Sequence, residues 1–165
     1  MKRPLEGILV VGLEQVIAGP FCTRQLAELG ARVIKIENPA SPDPCRQNPP
    51  YLGRGGVSLG RTRPDDVSVS ALNRLRGKYG VTLDLKHPGA REVFARLLRQ
   101  ADIVVENFSA GTLDRLGVGY PFARSVNPRV IYCSISGFGA TQAPGTGKAM
   151  DTIIQALSGL MMTSG

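Results

Sequence analysis

Residues 8–37 read ILVVGLEQVIAGPFCTRQLAELGARVIKIE, and this stretch decides the fold. The nearly unbroken apolar run 8–13 predicts a strand that is buried on both faces, as strands of a parallel sheet are. A helix follows, in which Pro20 can take the first position and Gly30 ends the pattern of apolar residues at helical spacing. Residues 32–37 predict a second strand, so the stretch forms a βαβ unit.

The remaining sequence continues the alternation of strands and helices. The predicted elements are a strand at 81–85, a helix at 90–101, a strand at 103–106, a short helix around 113–116, a strand at 129–135 and a helix that starts near Asp151. Such an alternation is typical of α/β proteins. We therefore expect a Rossmann-like, mostly parallel sheet with flanking helices.

Two segments interrupt this pattern. Residues 38–70 are rich in Pro, Gly, Arg and Asp and show no periodicity, which predicts a long functional loop. A second loop, 136–148, is rich in glycine. In the helix after it, Asp151 is interpreted as the N-cap, with a functional carboxylate as the alternative. The apolar residues predicted on one face of that helix, which we expect to lack a packing partner, are Ile153, Ile154, Leu157, Leu160 and Met161.

Composition limits the class of protein. The chain has 165 residues, 42% of them hydrophobic, a length and apolar content that fit one globular domain rather than a disordered chain. No apolar run approaches the ~18–20 residues that a membrane span needs. The N-terminus, Met1 to Glu6, reaches an acidic residue before any apolar core and does not resemble a secretory signal. We expect a cytoplasmic protein with no membrane partner.

The cysteine and histidine residues argue against several kinds of site. Cys22, Cys45 and Cys133 are far apart in the sequence, which disfavours a disulfide framework. The single histidine, His87, stands in Lys-His-Pro at a predicted helix start. It disfavours both a zinc site and a nucleophile paired with histidine, so no metal is expected.

The formal net charge of +7 is unevenly distributed. Residues 54–99 carry ten basic and four acidic side chains, whereas the remaining thirds are close to balance. This patch is what a polyphosphate ligand would need, although a solvated basic face is an equal alternative. Within it, Arg74, Arg76 and Lys78 form a cationic cluster that an anion could neutralise. With no tryptophan and 5% aromatic residues, the chain lacks the stacking platform of a nucleic-acid-binding protein.

Ligands of open parallel sheets bind beyond the carboxyl ends of the strands. Here those positions are 14–20, 37–38, Lys86, 106–109 and 136–148. The first turn, GLEQVIAG, lacks the Gly-x-Gly-x-x-Gly spacing that admits a dinucleotide pyrophosphate. NAD is therefore disfavoured, even though Glu37 stands where a ribose-binding acid would be found.

An ordered set of motifs carries a family resemblance. The motifs are PLEGI (4–8), AGPF (18–21), LGARVIKIE (29–37), RGK (76–78), LDLK (83–86), ADIVVENF (101–108), NPRVIY (127–132) and SGFG (136–139). Together they resemble the class III CoA-transferases, across nearly all of residues 4–165. The acyl-CoA racemases are mechanistic relatives of that family.

The resemblance implies a Rossmann-like domain that binds coenzyme A as a substrate. By position, Val16 and Ala18 would line the path of the adenine or the pantetheine. Leu83 and Lys86 would form the adenosine pocket.

Further contacts are implied by the same resemblance. Asn107, Phe108 and Arg115 would contact the nucleotide and the pantetheine, and Lys148 matches a basic position near the CoA phosphates. Lys78, in the cationic cluster, is also expected to bind CoA. The basic middle third then has a specific ligand, because the 3′-phosphorylated ADP moiety needs such cations.

The implied reaction is a double displacement in which an aspartate attacks the acyl-CoA thioester and later carries CoA as an aspartyl thioester. The resemblance places that aspartate beyond Gly165, so no catalytic residue is expected in this chain. We expect residues 1–165 to be an N-terminal, CoA-binding fragment that is inactive alone. The full-length protein is expected to be an interlocked homodimer that acts on acyl-CoA and carboxylic acids.

Two alternatives remain. One is an acyl-CoA racemase, in which a histidine precedes the aspartate equivalent to Asp151; here that position is Met150, which cannot transfer a proton. The other is a non-catalytic nucleotide-binding domain.

Overall fold

The computed structural model describes residues 2–139 and 149–163, which contain two β-sheets and six α-helices. The strands are β1 (Leu9–Leu13), β2 (Arg32–Glu37), β3 (Tyr51–Gly53), β4 (Gly56–Ser58), β5 (Val67–Ser68), β6 (Lys78–Thr82), β7 (Ile103–Glu106) and β8 (Ile131–Ser134). The helices are α1 (Ala18–Glu28), α2 (Val69–Leu75), α3 (Ala90–Leu98), α4 (Thr112–Arg115), α5 (Tyr120–Val126) and α6 (Asp151–Leu157). Short 3₁₀ helices cover Pro44–Gln47 and Leu160–Met162.

The larger sheet has five strands in the order β6-β2-β1-β7-β8, and every neighbouring pair is parallel. This confirms the predicted α/β class. The strand order reverses at β1, which pairs with β2 on one side and with β7 on the other. Open α/β sheets bind their ligands at such a reversal, beyond the carboxyl ends of the strands.

Apolar residues cover both faces of this sheet. Val11 lies on one face, in a core that includes Phe94 and Leu98 of α3. Val10 lies on the other face, with Val33 and Val105, under α1. Because successive strand residues point to opposite faces, a strand that is buried on both sides must be apolar at every position. The continuous apolar run in β1 therefore has the structural cause that the sequence predicted.

Helix α1 begins at Ala18, two residues before the predicted start at Pro20. It ends where expected. Leu29 is the C-cap, and Gly30 follows with a φ of 107°, in the left-handed region that glycine adopts at little cost.

The prediction of a long loop at residues 38–70 is wrong. The segment contains a 3₁₀ helix and a three-stranded antiparallel sheet in the order β4-β3-β5, and it leads into α2. Its strands have only two or three residues, too few to show a period of two, and glycine-rich turns separate them. The carboxylate of Asp66 supports this unit by accepting hydrogen bonds from the N–H groups of Thr62 and Arg63, each at 2.8 Å.

Strand β6, the third strand of the large sheet along the chain, also differs from its prediction. It covers Lys78–Thr82 rather than 81–85, because Leu83 and Leu85 pack against the core after the strand has ended. Their apolar side chains extended the pattern beyond the hydrogen-bonded segment. Helix α5 was not predicted, since Gly119 and Pro121 at its start resemble a turn.

The last helix differs from its prediction in two respects. Met150 is the N-cap and Asp151 is the first helical residue, so the predicted cap is wrong; the Asp151 carboxylate accepts a hydrogen bond from Gln155 at 2.6 Å. The helix ends at Leu157, and Leu160 lies on a separate 3₁₀ helix after Gly159. The five apolar residues therefore do not share one helix face.

Residues 140–148 of the predicted glycine-rich loop lie outside the described residues. Within the part of the chain that the structure describes, no helix is both long and apolar enough to cross a membrane. Cys22, Cys45 and Cys133 are all free thiols.

Candidate functional site

Two cavities open side by side at the carboxyl ends of the parallel strands. The smaller, of about 210 Å³, is lined by segments that follow β1, β2 and β6, among them Gln15, Asn38, Leu83 and Lys86. The larger, of about 340 Å³, lies among the ends of β7 and β8 and the starts of α1 and α6. Phe108 lines both. We name the two cavities together the strand-end crevice.

The strand-end crevice brings together most of the predicted ligand contacts. Leu83, Lys86 and Phe108 line the smaller cavity, and Ala18, Asn107 and Phe108 line the larger one. These residues come from three segments that are far apart in the sequence. Their proximity follows from strand order, because β1, β7 and β6 all end at the same edge of the sheet.

A further cavity, of about 400 Å³, lies beyond β7 and β8 against α4, and none of the predicted contacts within the described part of the chain lines it. Its lining includes the carboxylates of Glu106 and Asp114. Burial, followed by the charges of these two groups, raises the pKa of the neighbouring Tyr132 hydroxyl. Two carboxylates in the lining repel a polyphosphate, so this cavity is a poor site for a nucleotide.

Asn107 holds the first turn of the strand-end crevice through its side-chain amide. Its Oδ1 accepts a hydrogen bond from the N–H of Gln15 at 2.8 Å, and its Nδ2 donates to the carbonyl of Gln15 at 2.8 Å. Gly19 permits this approach, since a Cβ on Gly19 would lie 2.8 Å from Asn107 Oδ1 and 2.7 Å from Glu14 Cβ. The amide is thus occupied by the turn, and it positions residues next to the crevice.

Val16, the next residue of this turn, has a φ of 65°. A β-branched residue rarely adopts this left-handed conformation, which costs on the order of 1–3 kcal/mol. Its side chain is exposed, and its N–H donates to Asp43 Oδ1 at 3.0 Å. The backbone hydrogen bond therefore compensates part of the conformational cost.

Beneath the turn lies a buried cluster of four charged side chains, which we name the buried ion cluster: Glu14, Lys35, Asp43 and Lys78. The Lys35 ammonium donates to Asp43 Oδ2 at 3.0 Å and to the carbonyl of Glu14 at 2.5 Å. The Lys78 ammonium donates to Glu14 Oε1 at 2.7 Å. Buried charges are tolerated when they are paired and hydrogen-bonded in this way.

The environment shifts the pKa of Asp43. Burial raises it, but the hydrogen bond from the Cys45 N–H, the charge of Lys35 and the hydrogen bond from the Val16 N–H outweigh burial and hold the pKa below its ordinary value. Asp43 is therefore an anion at neutral pH, as its role as a multiple acceptor requires. Burial, then the charge of Asp43, raises the pKa of the adjacent Cys45 thiol to about 12. A thiol with that pKa is not a nucleophile at neutral pH.

Lys78 points into the protein rather than toward the strand-end crevice. Its ammonium contacts Glu14 and the Pro20 carbonyl, at 2.9 Å from the latter, and its side chain is 2% exposed. Burial lowers the pKa of Lys78, and the charge of Glu14 only partly opposes this. The contact of Lys78 with CoA stays a prediction, and in this structure the side chain supports the turn.

The cationic cluster inferred from the sequence does not form one patch. Arg76 pairs with Glu28 at 2.6 Å, and Lys78 pairs with Glu14. Arg74 has a buried Nη1 without a hydrogen-bond partner among the described residues. Chain proximity placed these three residues together, but their side chains diverge.

Two further predicted contacts lie elsewhere. Arg115 is exposed on α4, where its Nη2 donates to Thr112 Oγ1 at 3.1 Å, and it lines neither cavity of the strand-end crevice. Lys148 lies outside the described residues. Both contacts stay predictions.

Glu37 occupies the position of a ribose-binding acid, but both of its carboxylate oxygens are engaged. Oε1 accepts from Arg46 at 2.6 Å, and Oε2 accepts from Arg46 and from the N–H of Asp43. Burial raises the pKa of Glu37, yet the hydrogen bonds from Arg46 and Asp43 bring it below the ordinary value. The carboxylate therefore braces the following loop and is not available to a ribose.

Sequence reasoning missed Lys35 and Asp43 as residues that shape the site, and it included Glu14 only as part of the strand-end range 14–20, not as a member of the buried ion cluster. One signal was present: Lys35 interrupts an apolar strand that is buried on both faces, and a buried ammonium requires an acidic partner. Asp43 gave no signal, because it stands in an aperiodic, proline-rich segment.

Comparison with known proteins identifies similar chains. Residues 5–165 match the model of the family described as CoA-transferase family III. The chain is 43% identical over 164 residues to the acetyl-CoA:oxalate CoA-transferase of Acetobacter aceti, covering 99% of this chain and 39% of that protein. It is 40% identical to the succinate–glutarate CoA-transferase of Agrobacterium fabrum, covering 99% and 40% respectively.

A solved structure is similar as well. The crystal structure of a CAIB/BAIF family protein from Brucella suis superposes with a TM-score of 0.84 at 36% identity, covering 98% of this chain and 40% of that one. The chain thus spans about two fifths of the length of the proteins it matches.

Proposed function

This chain belongs to CoA-transferase family III, and we propose that it supplies the CoA-binding part of an enzyme that transfers coenzyme A from an acyl-CoA thioester to a carboxylic acid. The strand-end crevice is the proposed CoA site. Three segments that contain residues the family resemblance assigned to CoA border it, the first through Ala18, the second through Leu83 and Lys86, and the third through Asn107 and Phe108. Val16, which the resemblance also assigned to CoA, lines neither cavity. The convergence of the three segments is the observation that carries the proposal.

The start of α1 supports an anionic ligand. Ala18, the first residue of the helix, lines the strand-end crevice, and Ile17 at the N-cap makes no side-chain hydrogen bond to the first turn. N–H groups at a helix start, together with the helix dipole, favour negative charge. Lys86 lines the smaller cavity and adds an exposed cation.

The proposed chemistry assigns binding, not bond making, to this chain. A carboxylate in another part of the longer protein attacks the thioester carbonyl, the C–S bond breaks, and the CoA thiolate leaves behind a mixed anhydride. The thiolate then attacks the enzyme-side carbonyl, which releases the first acid and leaves an enzyme thioester. The acceptor carboxylate reverses both steps. The role of this crevice is to retain the CoA thiolate between the steps, when an intermediate would otherwise be lost.

The remaining parts of the proposal concern the longer protein. We place it in the cytoplasm, as an interlocked homodimer that acts on acyl-CoA and carboxylic acids. Its nucleophilic aspartate is not assigned to any residue of this chain.

Calorimetric titration of this chain with CoA, 3′-dephospho-CoA and NAD tests the proposed function. We expect CoA to bind at least about tenfold more tightly than NAD, a difference of ~1.4 kcal/mol. The missing glycine-rich turn and the engaged Glu37 both oppose the dinucleotide. Equal or stronger binding of NAD would contradict the proposal.

Charge-reversal variants test where CoA binds on this chain. Arg115→Glu and Lys148→Glu should weaken CoA binding more than Arg96→Glu, a matched change of an exposed arginine on α3. An equal effect of all three would mean that only the general positive field attracts CoA.

A further inference from the structure

We infer that Asp43 is a positioning residue for ligand binding, whose carboxylate holds Val16 in its left-handed conformation at the edge of the strand-end crevice. The inference rests on the proposed function, because it assigns a consequence for CoA affinity to a residue that touches no ligand. Asp43 was not predicted as a site residue and lies outside the lining of both cavities.

The conformation of Val16 needs an external cause. Among the described residues it is the one non-glycine residue with a positive φ. The residue is 42% exposed, so packing does not enforce the conformation. The restraint is the hydrogen bond from the Val16 N–H to Asp43 Oδ1 at 3.0 Å.

Asp43 can act as a restraint because it is itself fixed. Its side chain is fully buried, its Oδ1 also accepts from the Cys45 N–H at 2.9 Å, and its Oδ2 accepts from Lys35 at 3.0 Å. The Asp43 N–H donates to Glu37 at 2.9 Å. A carboxylate with that many partners has little freedom to follow Val16 into another conformation.

The ion pair between Lys35 and Asp43 binds the turn at two backbone groups. Lys35 binds the Glu14 carbonyl while its partner Asp43 binds the Val16 N–H, and Asn107 holds both polar backbone groups of the intervening Gln15. The turn is therefore ordered before any ligand arrives. Preorganisation of this kind increases affinity, since the ligand does not have to order the segment that leads to Ala18.

Two pairs of variants test the inference in this chain. Asp43→Ala removes both acceptors and should weaken CoA binding about tenfold or more, as expected for loss of hydrogen bonds to a charged group. Asp43→Asn retains an oxygen for Val16 and Cys45 but loses the charge that pairs with Lys35, so we expect an intermediate loss of about threefold. Rescue by the conservative variant distinguishes positioning from loss of the fold.

Asp66 provides the matched control. It too is a buried carboxylate that accepts two backbone N–H hydrogen bonds, but it directly precedes β5 of the small antiparallel sheet and lines neither cavity of the crevice. Asp66→Ala and Asp66→Asn should lower the unfolding midpoint while changing CoA affinity by less than about twofold. If the Asp43 and Asp66 variants lose affinity in proportion to their stability, the inference is overturned.

Hydrogen exchange of the Val16 amide, measured by NMR without ligand, gives an independent readout. The amide should exchange much faster in Asp43→Ala than in the unchanged chain, and Asp66→Ala should leave it protected. If the unchanged chain fails to bind CoA, the proposed function fails, and this exchange measurement still decides the structural half of the inference. Equal exchange in the unchanged chain and in Asp43→Ala overturns it.

Discussion

Two of the segments that border the strand-end crevice are built in opposite ways. Residues 14–18 are held by side chains from β2, the following loop and the end of β7, through hydrogen bonds to consecutive backbone groups. Residues 149–157, which include α6, have no buried residue, and Leu157 is 65% exposed. The difference shows that one wall of the crevice is fixed by polar contacts within the described chain, whereas the other presents an apolar surface.

The largest effect on stability is expected from a substitution that disrupts the fixed wall. Lys35→Ala leaves the Asp43 carboxylate buried without its ammonium and the Glu14 carbonyl without its donor. Removing one partner of a buried ion pair typically costs about 3–5 kcal/mol. Urea unfolding should show a loss of that size, whereas Arg96→Ala on the exposed face of α3 should change stability by less than about 0.5 kcal/mol. A loss below ~1 kcal/mol for Lys35→Ala would mean that the cluster does not stabilise the turn.

A smaller effect should appear in acid, and the fixed wall contributes to it through Asp43. The pKa values of Asp43 and Glu37 are lowered by folding, so their stabilisation is present above the ordinary carboxyl pKa and is lost as the pH falls through the lower folded values. Urea unfolding below about pH 4.5 should therefore show decreasing stability.

The chain with Asp43→Asn supplies the comparison for this acid effect. It should be less stable at neutral pH but lose less on acidification, since one of the titrating groups is gone. Parallel pH profiles for the two chains would contradict this prediction.

The smallest effect on folding is expected at the apolar wall. Leu157→Ser should change the free energy of unfolding by less than about 0.5 kcal/mol, because the side chain is largely exposed already. Leu98→Ala, in the buried core, should cost about 2–5 kcal/mol. Sedimentation velocity should show less self-association for Leu157→Ser, as exposed apolar patches promote contacts between copies. Unchanged self-association would show that copies of the chain do not associate through α6.

The parts of the fold that the sequence predicted correctly are those in which local pattern and global burial agree. Strands β2 and β7 have the predicted bounds, and β1 differs by one residue, because each is buried on both faces and its apolar run coincides with its hydrogen-bonded length. At the exposed edge strand β6, the apolar pattern does not coincide with the hydrogen-bonded segment. The predicted strand therefore lies three residues too far toward the C-terminus. The short antiparallel strands carried no periodic signal at all.

The site shows the same limit. Ala18, Leu83, Asn107 and their neighbours were assigned from strand ends and from family resemblance, and the topology brings them to one crevice. The support beneath them depends on contacts such as Lys35 to Asp43 and Lys78 to Glu14. The apolar strand around Lys35 signals that this ammonium needs an acidic partner, but which carboxylate it pairs with depends on three-dimensional placement, which residue type and spacing do not encode.

The buried ion cluster also bears on how salt would act on this protein. It contains two ammonium groups and two carboxylates, so it contributes no net charge, and the formal surplus of +7 lies on other side chains. Mobile ions screen surface charges over about 8 Å at physiological ionic strength but hardly reach pairs inside the protein. Raising ionic strength should therefore slow the encounter of an anionic ligand with the surface while leaving intact the shape that receives it.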